Sequence, residues 1–224
     1  MSESAKGKDL HRIRSRLASL FSDIFLHPPS FEQLESLIAL LEFYYQHQLD
    51  ENGCFARGLN EFDEWRGGLE EMSEQEQQLT VQRNYTTLFC VGQGVVTTAS
   101  AVLSPQRIHK WEPWTKVRRF YYEYGLRLVE GSPLYEDSIV TELAFYSLLI
   151  DQLERLGGSK RKETLKIQQR FLEKHLLIWL PQFCEELHST AGKESAYSSV
   201  ASFLTGFMQA EPRLIHQVLQ VESV

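Results

Sequence analysis

The chain has 224 residues, 42% of them hydrophobic and 24% charged, with a formal net charge of −7. That length buries a sizeable core, and the balance is that of an ordinary globular chain rather than a disordered one. The negative charge excludes a general nucleic-acid binder, which would show a basic stripe, and suits a basic peptide partner drawn by the negative field.

Leu10, Ile13, Leu17, Leu20, Phe21 and Ile24 recur at helical spacing, with Arg12, Arg14, Arg16 and Asp23 interleaved. This predicts an amphipathic first helix, not the unbroken apolar core of a secretory signal. No run approaches the roughly 18 apolar residues of a membrane span. A cytoplasmic location without stable membrane insertion is expected. His27-Pro28-Pro29-Ser30 breaks the first helix, and Ser30 with Gln33 predicts a capping box. Leu34, Leu37, Ile38, Leu41, Phe43, Tyr44 and Tyr45 predict a mostly buried second helix, closed by the turn residues of 50–53. A short helix over 59–65 stops at Gly67-Gly68. Ser73 with Glu76 opens another that runs through Leu79, Val81 and Tyr85 to Leu88 and Phe89.

Residues 90–110 lack helical period and read as an ordered loop or a short strand. Helix returns from Trp114 to Leu126, and Gly131-Ser-Pro133 separates it from one running from about Asp137 to Leu156. Gly157 to Lys162 reads as a solvated loop. Two or three helices fill 163–219, with breaks at Pro181, Ala191-Gly192 and Pro212. The expected architecture is one all-α domain over 1–224, a bundle of about nine or ten helices.

On the 137–153 helix, Leu143, Tyr146, Ile150 and Leu153 fall within about 40° of Ile139. Glu142 falls on the apolar side, between Leu149 and Leu153, where a carboxylate must be paired or hydrogen-bonded. Glu136 and Asp137 sit at the helix start, where the dipole favours anions. Two uses of this cluster stay open. Either Asp137 or Ser138 caps the helix and Glu142 satisfies a nearby group, or the cluster receives a basic peptide.

Catalytic and metal patterns are not found. Cys54, Cys90 and Cys184 are far apart and read as buried thiols of a reducing compartment. No HxxxH pair occurs, and one ExxH, Glu185 with His188, falls short of a di-metal site. Gly92-x-Gly94 lacks the Lys-Ser/Thr of a phosphate loop. No GxSxG occurs, and Cys184 with His188 reads as a buried thiol beside a surface imidazole. Lone His175 reads as a helix-end histidine satisfying carbonyls. The expectation is a binding protein with no metal, no cofactor and no turnover chemistry.

Four segments then occur in a telling order. They are Asn84-Tyr-Thr-Thr-Leu-Phe-Cys-Val-Gly92, Trp111-Glu-Pro-Trp-Thr-Lys-Val-Arg-Arg-Phe-Tyr-Tyr-Glu-Tyr-Gly125, Glu136-Asp-Ser-Ile-Val-Thr-Glu-Leu-Ala-Phe-Tyr146, and the stretch from Phe171 through His175-Leu-Leu-Ile-Trp179 to His188. Together they resemble the TorD/DmsD/NarJ family, cytoplasmic chaperones of molybdoenzymes. The chain departs from the family pattern in four places: Ser138 stands where the family has His, Tyr146 where it usually has Met, one extra residue precedes Gly92, and Gln93 to Thr98 replace the family's frequent Pro-rich loop.

The resemblance implies a chaperone that binds the twin-arginine signal peptide and the apo body of a molybdenum- or tungsten-cofactor oxidoreductase, delaying its export until the cofactor is inserted. It assigns the polar end of the peptide site to Glu136, Asp137, Ser138 and Glu142, and the apolar end to Tyr85, Leu88 and Phe89. Most of the aromatics of 111–124 are expected to be buried. Some members are linked to guanine nucleotide, for which nothing here locates a site. Monomer and domain-swapped dimer are both open. The alternative is a helical small-ligand-binding or regulatory protein using the same groove.

Overall fold

The computed structural model describes residues 3–48, 50–91 and 94–221, so Gly92 and Gln93 of the Gly-x-Gly loop lie outside the described residues. The described residues form ten α-helices and two π-helical segments. The helices are α1 (Glu3–Leu26), α2 (Phe31–Tyr45), α3 (Cys54–Gly67), α4 (Glu74–Tyr85), α5 (Ala99–Leu103), α6 (Glu112–Glu123), α7 (Ile139–Arg155), α8 (Gly158–Phe171), α9 (Leu177–Ala191) and α10 (Tyr197–Val221). The π segments cover Thr86–Cys90, after α4, and Leu172–Leu176, between α8 and α9. No strand occurs among the described residues; one isolated antiparallel bridge joins Thr98 to Ser138.

Local chemistry sets the starts of these helices. Ser30 and Ser73 each accept from the amide three residues on, and Gln33 and Glu76 return the bond, so both capping boxes form. Burial then orders the helices. α7 lies along α1, α10 crosses α3 and α9, and α8 packs on α7. Ile139, Leu143, Tyr146, Ile150 and Leu153 are all buried in the centre, as the helical spacing predicts. α3 approaches α10 closely at Gly58, where an added Cβ would stand 2.5 Å from the Phe203 ring.

Four expectations fail here. The 90–110 stretch is not only loop or strand, because Ala99–Leu103 form helix α5. Pro181 and Pro212 do not break helices; they lie inside α9 and α10. A proline ring crowds the carbonyl four residues back. For Pro181 that carbonyl is Leu177's, and Leu177 leaves the π segment at ψ −10°, away from the helical value near about −42°, which swings the carbonyl aside. The 157–162 stretch is not a loop, because α8 already begins at Gly158 and is anchored by buried Thr164 and Leu165. Cys90 is exposed, unlike Cys54 and Cys184.

Arg14 is the largest departure from an amphipathic α1. It is fully buried, and its guanidinium meets Glu211 of α10 through Nε at 2.9 Å and Nη2 at 2.7 Å. Nη2 also donates to Tyr146 Oη and Gln168 Oε1, each at 3.1 Å. Tyr44 donates to Glu211 at 3.0 Å, and Tyr146 donates to it as well. The network ties α1, α2, α7, α8 and α10 together, and it gives Tyr146 a polar role that a methionine there would lack. His11 lies between the Arg14 and Arg161 guanidinium groups; burial and those two charges push its imidazole down to about 3.

Candidate functional site

The N-terminus of α7 is held by a strap. Ala99 N–H donates to Asp137 O and Ile139 N–H donates to Thr97 O, both at 2.8 Å. These bonds lay the chain before α5 antiparallel to the chain entering α7. Ser138 is the N-cap, its Oγ accepting from Thr141 N–H at 3.2 Å. A serine suits that position because its short side chain reaches the free amides of the first turn. Asp137 faces the other way. Its Oδ2 accepts from Ser100 N–H at 2.8 Å, while Oδ1 and the Ser100 hydroxyl are buried with no hydrogen-bond partner among the described residues. Asp137 is therefore a buried strut between α5 and α7 rather than an open peptide contact.

Glu136 is partly exposed. Its Oε2 accepts from Trp114 Nε1–H at 2.6 Å, and its Oε1 lies 3.5 Å from the Arg118 guanidinium. That guanidinium rests over two rings, 4.9 Å from the centre of Trp114 and 5.3 Å from that of Tyr122. Lys110 lies 4.7 Å over Tyr135. These groups line an open cavity of about 630 Å³ that also takes in Arg127, Glu130 and the 131–135 turn. Its aromatic faces are of the kind that hold guanidinium and ammonium groups, and in this structure the chain's own Lys110 and Arg118 occupy them.

Glu142 is buried at 1% exposure and accepts from Trp179 Nε1–H at 3.2 Å. Burial pushes its carboxyl well above the usual range. The Trp179 hydrogen bond opposes the shift and the nearby Asp137 charge reinforces it. Glu142 opens onto a second, smaller cavity of about 140 Å³ between α5, α6, α7 and α9, with His175 and Trp179 beside it. His175 is not a helix-end histidine. The π segment turns it inward against Phe120 and Phe171, at 5.0 and 5.2 Å between ring centres. Burial and the charges of Lys116 and Arg170 lower its imidazole to about 4. Wide turns of this kind recur at functional sites.

The apolar residues form their own cluster. Tyr85 donates to Leu26 O at 2.8 Å. Phe89 packs on Tyr197 at 5.0 Å and on Phe25 at 5.9 Å, and Leu88 is buried beneath. The chain folds back over this segment through Val95 N–H to Leu88 O at 2.7 Å. Gly94 makes that return possible, since a Cβ there would stand 2.1 Å from Leu88 O. The structure thus brings Glu136, Asp137, Ser138 and Glu142 together at one helix end, and Tyr85, Leu88 and Phe89 together elsewhere. The latter three line neither of the two cavities at the α7 end.

Sequence reasoning passed over Arg118, Lys110, Lys116 and Lys174, and it misplaced His175. It also expected the 111–124 aromatics to be mostly buried. Among them Tyr121 is buried, whereas Trp111 and Tyr122 are 37% and 51% exposed. The signal was present in the charge pattern of α6, where Lys116, Arg118 and Arg119 interleave with aromatics and stop that helix from burying all of its rings.

Cys184 is buried, with its thiol pushed up to about 12, and His188 turns instead to Glu61 Oε1 at 2.7 Å. No group of three or more metal-ligating side chains occurs among the described residues, and no described helix is long and apolar enough to cross a membrane.

The chain is similar in sequence to several known proteins. A selenate reductase assembly chaperone protein from Thauera selenatis is 32% identical over 94 residues, 41% of this chain and 47% of that protein. Chaperone protein TorD from two Vibrio cholerae serotype O1 strains, O395 and M66-2, is 23% identical over 122 residues, 54% of this chain and 55% of the relative. The chain thus spans about half the length of the curated relatives it matches. The family model for the nitrate reductase delta subunit matches residues 52–185, which include α3 to α8, both π segments and both cavities of the α7 end. The chain belongs to the nitrate reductase delta subunit family, the TorD/NarJ family.

Proposed function

We propose that this chain is a cytoplasmic assembly chaperone for a molybdenum- or tungsten-cofactor oxidoreductase, and that it binds the twin-arginine signal peptide and apo form of that client without turnover chemistry. Family membership and the printed names of the relatives support the chaperone part. One geometric observation carries the peptide part: Arg118 rests on Glu136 between the faces of Trp114 and Tyr122. A carboxylate flanked by aromatic planes is a receptor for a planar guanidinium. In the free protein the chain's own arginine fills it, and at 3.5 Å that pair is loose. A client arginine displaces Arg118 and takes the same seat.

Glu136 is then the residue that meets the peptide's arginine. Asp137, Ser138 and Glu142 act behind it by fixing the helix end, and the apolar part of the signal lies toward Tyr85, Leu88 and Phe89. The test is calorimetric titration with twin-arginine signal peptides and twin-lysine controls, using wild type, Glu136→Gln and Arg118→Ala. The expected pattern is saturable binding of a twin-arginine peptide, weakened by twin lysine and by Glu136→Gln, and unchanged or tightened by Arg118→Ala. Weakening by Arg118→Ala with no effect of Glu136→Gln overturns the displacement mechanism.

A further inference from the structure

We propose that the smaller cavity, between Trp111 and Trp179, is a binding site for a carboxylate carried on a compact apolar body, a ligand distinct from the client peptide. The cavity volume of about 140 Å³ is close to that of an engineered apolar cavity of roughly 150 Å³ that holds benzene. Leu103, Pro113, Ile178 and the two tryptophans supply apolar wall, and Glu142 and His175 supply the polar groups. A mostly apolar pocket with a few convergent polar groups is the usual form of a small-ligand site.

The polar groups decide the ligand's charge. Neither ring nitrogen of His175 has a hydrogen-bond partner among the described residues, although the side chain is 9% exposed. Glu142 uses one carboxyl oxygen on Trp179. An apolar molecule would leave His175 and the second oxygen of Glu142 without hydrogen bonds, at a cost in affinity. Burial favours the proton-bearing form of the Glu142 carboxyl and the uncharged form of the His175 ring, and in those forms each group can offer a proton to an acceptor. Lys116 and Lys174 stand on the same wall. Lys116 pairs with exposed Glu112 at 2.8 Å, and Lys174 has no carboxylate partner among the described residues. Glu112 lines the cavity too and offsets Lys116, so the rim carries one ammonium in excess, that of Lys174, and a cationic ligand would meet it. A carboxylate accepts from Glu142 and His175 while that ammonium offsets its charge.

The test is thermal shift together with tryptophan fluorescence of the whole chain, titrated at millimolar concentration with benzoate, toluene and benzylamine. The expected result is saturable binding of benzoate only, about tenfold weaker in Lys116→Ala/Lys174→Ala, a pair of exposed substitutions that leaves the core untouched. Glu142→Leu should abolish it. A peptide ending in a phenylalanine carboxylate, run beside its amide, separates a free acid from a chain terminus as the source: binding by the peptide acid assigns a terminus, and binding by benzoate alone assigns a free acid. Absence of any benzoate response, or an equal response to toluene and benzylamine, overturns the proposal. Because the readout needs no client peptide, failure here is separable from failure of signal-peptide binding.

Discussion

Replacing Glu142 by glutamine should stabilise the protein at neutral pH and not at acid pH. The side chain is buried, and burial raises its carboxyl well above the ordinary 4.5. The folded state therefore keeps a proton that the unfolded chain releases above about pH 4.5. For such a group stability is lost as pH rises, by up to about 1.4 kcal/mol per unit. Between pH 4.5 and 7 the penalty has a ceiling of about 3 kcal/mol. Glutamine has nearly the same shape, carries no ionisable proton and still accepts from Trp179 Nε1–H. Glu142→Gln should thus gain about 1–3 kcal/mol at pH 7, or roughly 2–12 °C in Tm for a chain of this size, and almost nothing near pH 4. Urea denaturation of both proteins across that range is the assay. A gap that does not vary with pH, or a loss at pH 7, would show that Glu142 is ionised in the fold and refute the reasoning.

Three further outcomes follow from the same structure. Arg14→Leu should cost about 3–5 kcal/mol, because it leaves Glu211 buried without its cation, and Arg14→Leu/Glu211→Leu should recover much of that; a single-mutant cost under about 1 kcal/mol, the range of surface pairs, would contradict the network. Asp137→Ala should cost about 1–3 kcal/mol by stranding Ser100 N–H, so a melt unchanged from wild type would mean that the α5–α7 strap carries no stability. His175 has its pKa lowered from 6.5 to about 4, so the unfolded state takes up a proton first as pH falls. Stability should drop from pH 6.5 to 4 by at most about 3 kcal/mol on its account, and His175→Phe should flatten that stretch of the urea midpoint profile.

The helices were legible where local rules decide. Ser30 with Gln33 and Ser73 with Glu76 are capping boxes in sequence and in structure, because both partners lie within one turn. The apolar stripe of α7 was legible too, together with the burial of Glu142 inside it. What escaped depends on partners far along the chain. Arg14 sits among apolar residues of α1, and nothing local tells that Glu211, almost two hundred positions later, will meet it. Pro181 reads as a break because the proline rule is local, whereas its tolerance rests on the wide turn just before it. The same turn decides that His175 faces a cavity. Asp137 was read as a helix cap or a peptide contact because its true partner is a backbone amide of α5, in the stretch with no helical period, and a single sequence carries no trace of that bond.

The wide turn at Leu172–Leu176 has a consequence for how this sequence tolerates changes in length. Each residue of an α-helix advances the chain by about 100°, so a deletion inside a regular helix turns one flank's buried face into solvent. A π segment already holds one surplus residue. Deleting a single residue there should relax it to ordinary α-helix while α8 and α9 keep their faces on the core, and only the residues of the turn, His175 first among them, would change direction. Gain or loss of one residue at this point is then a route by which the protein could reshape the cavity wall and leave the scaffold standing.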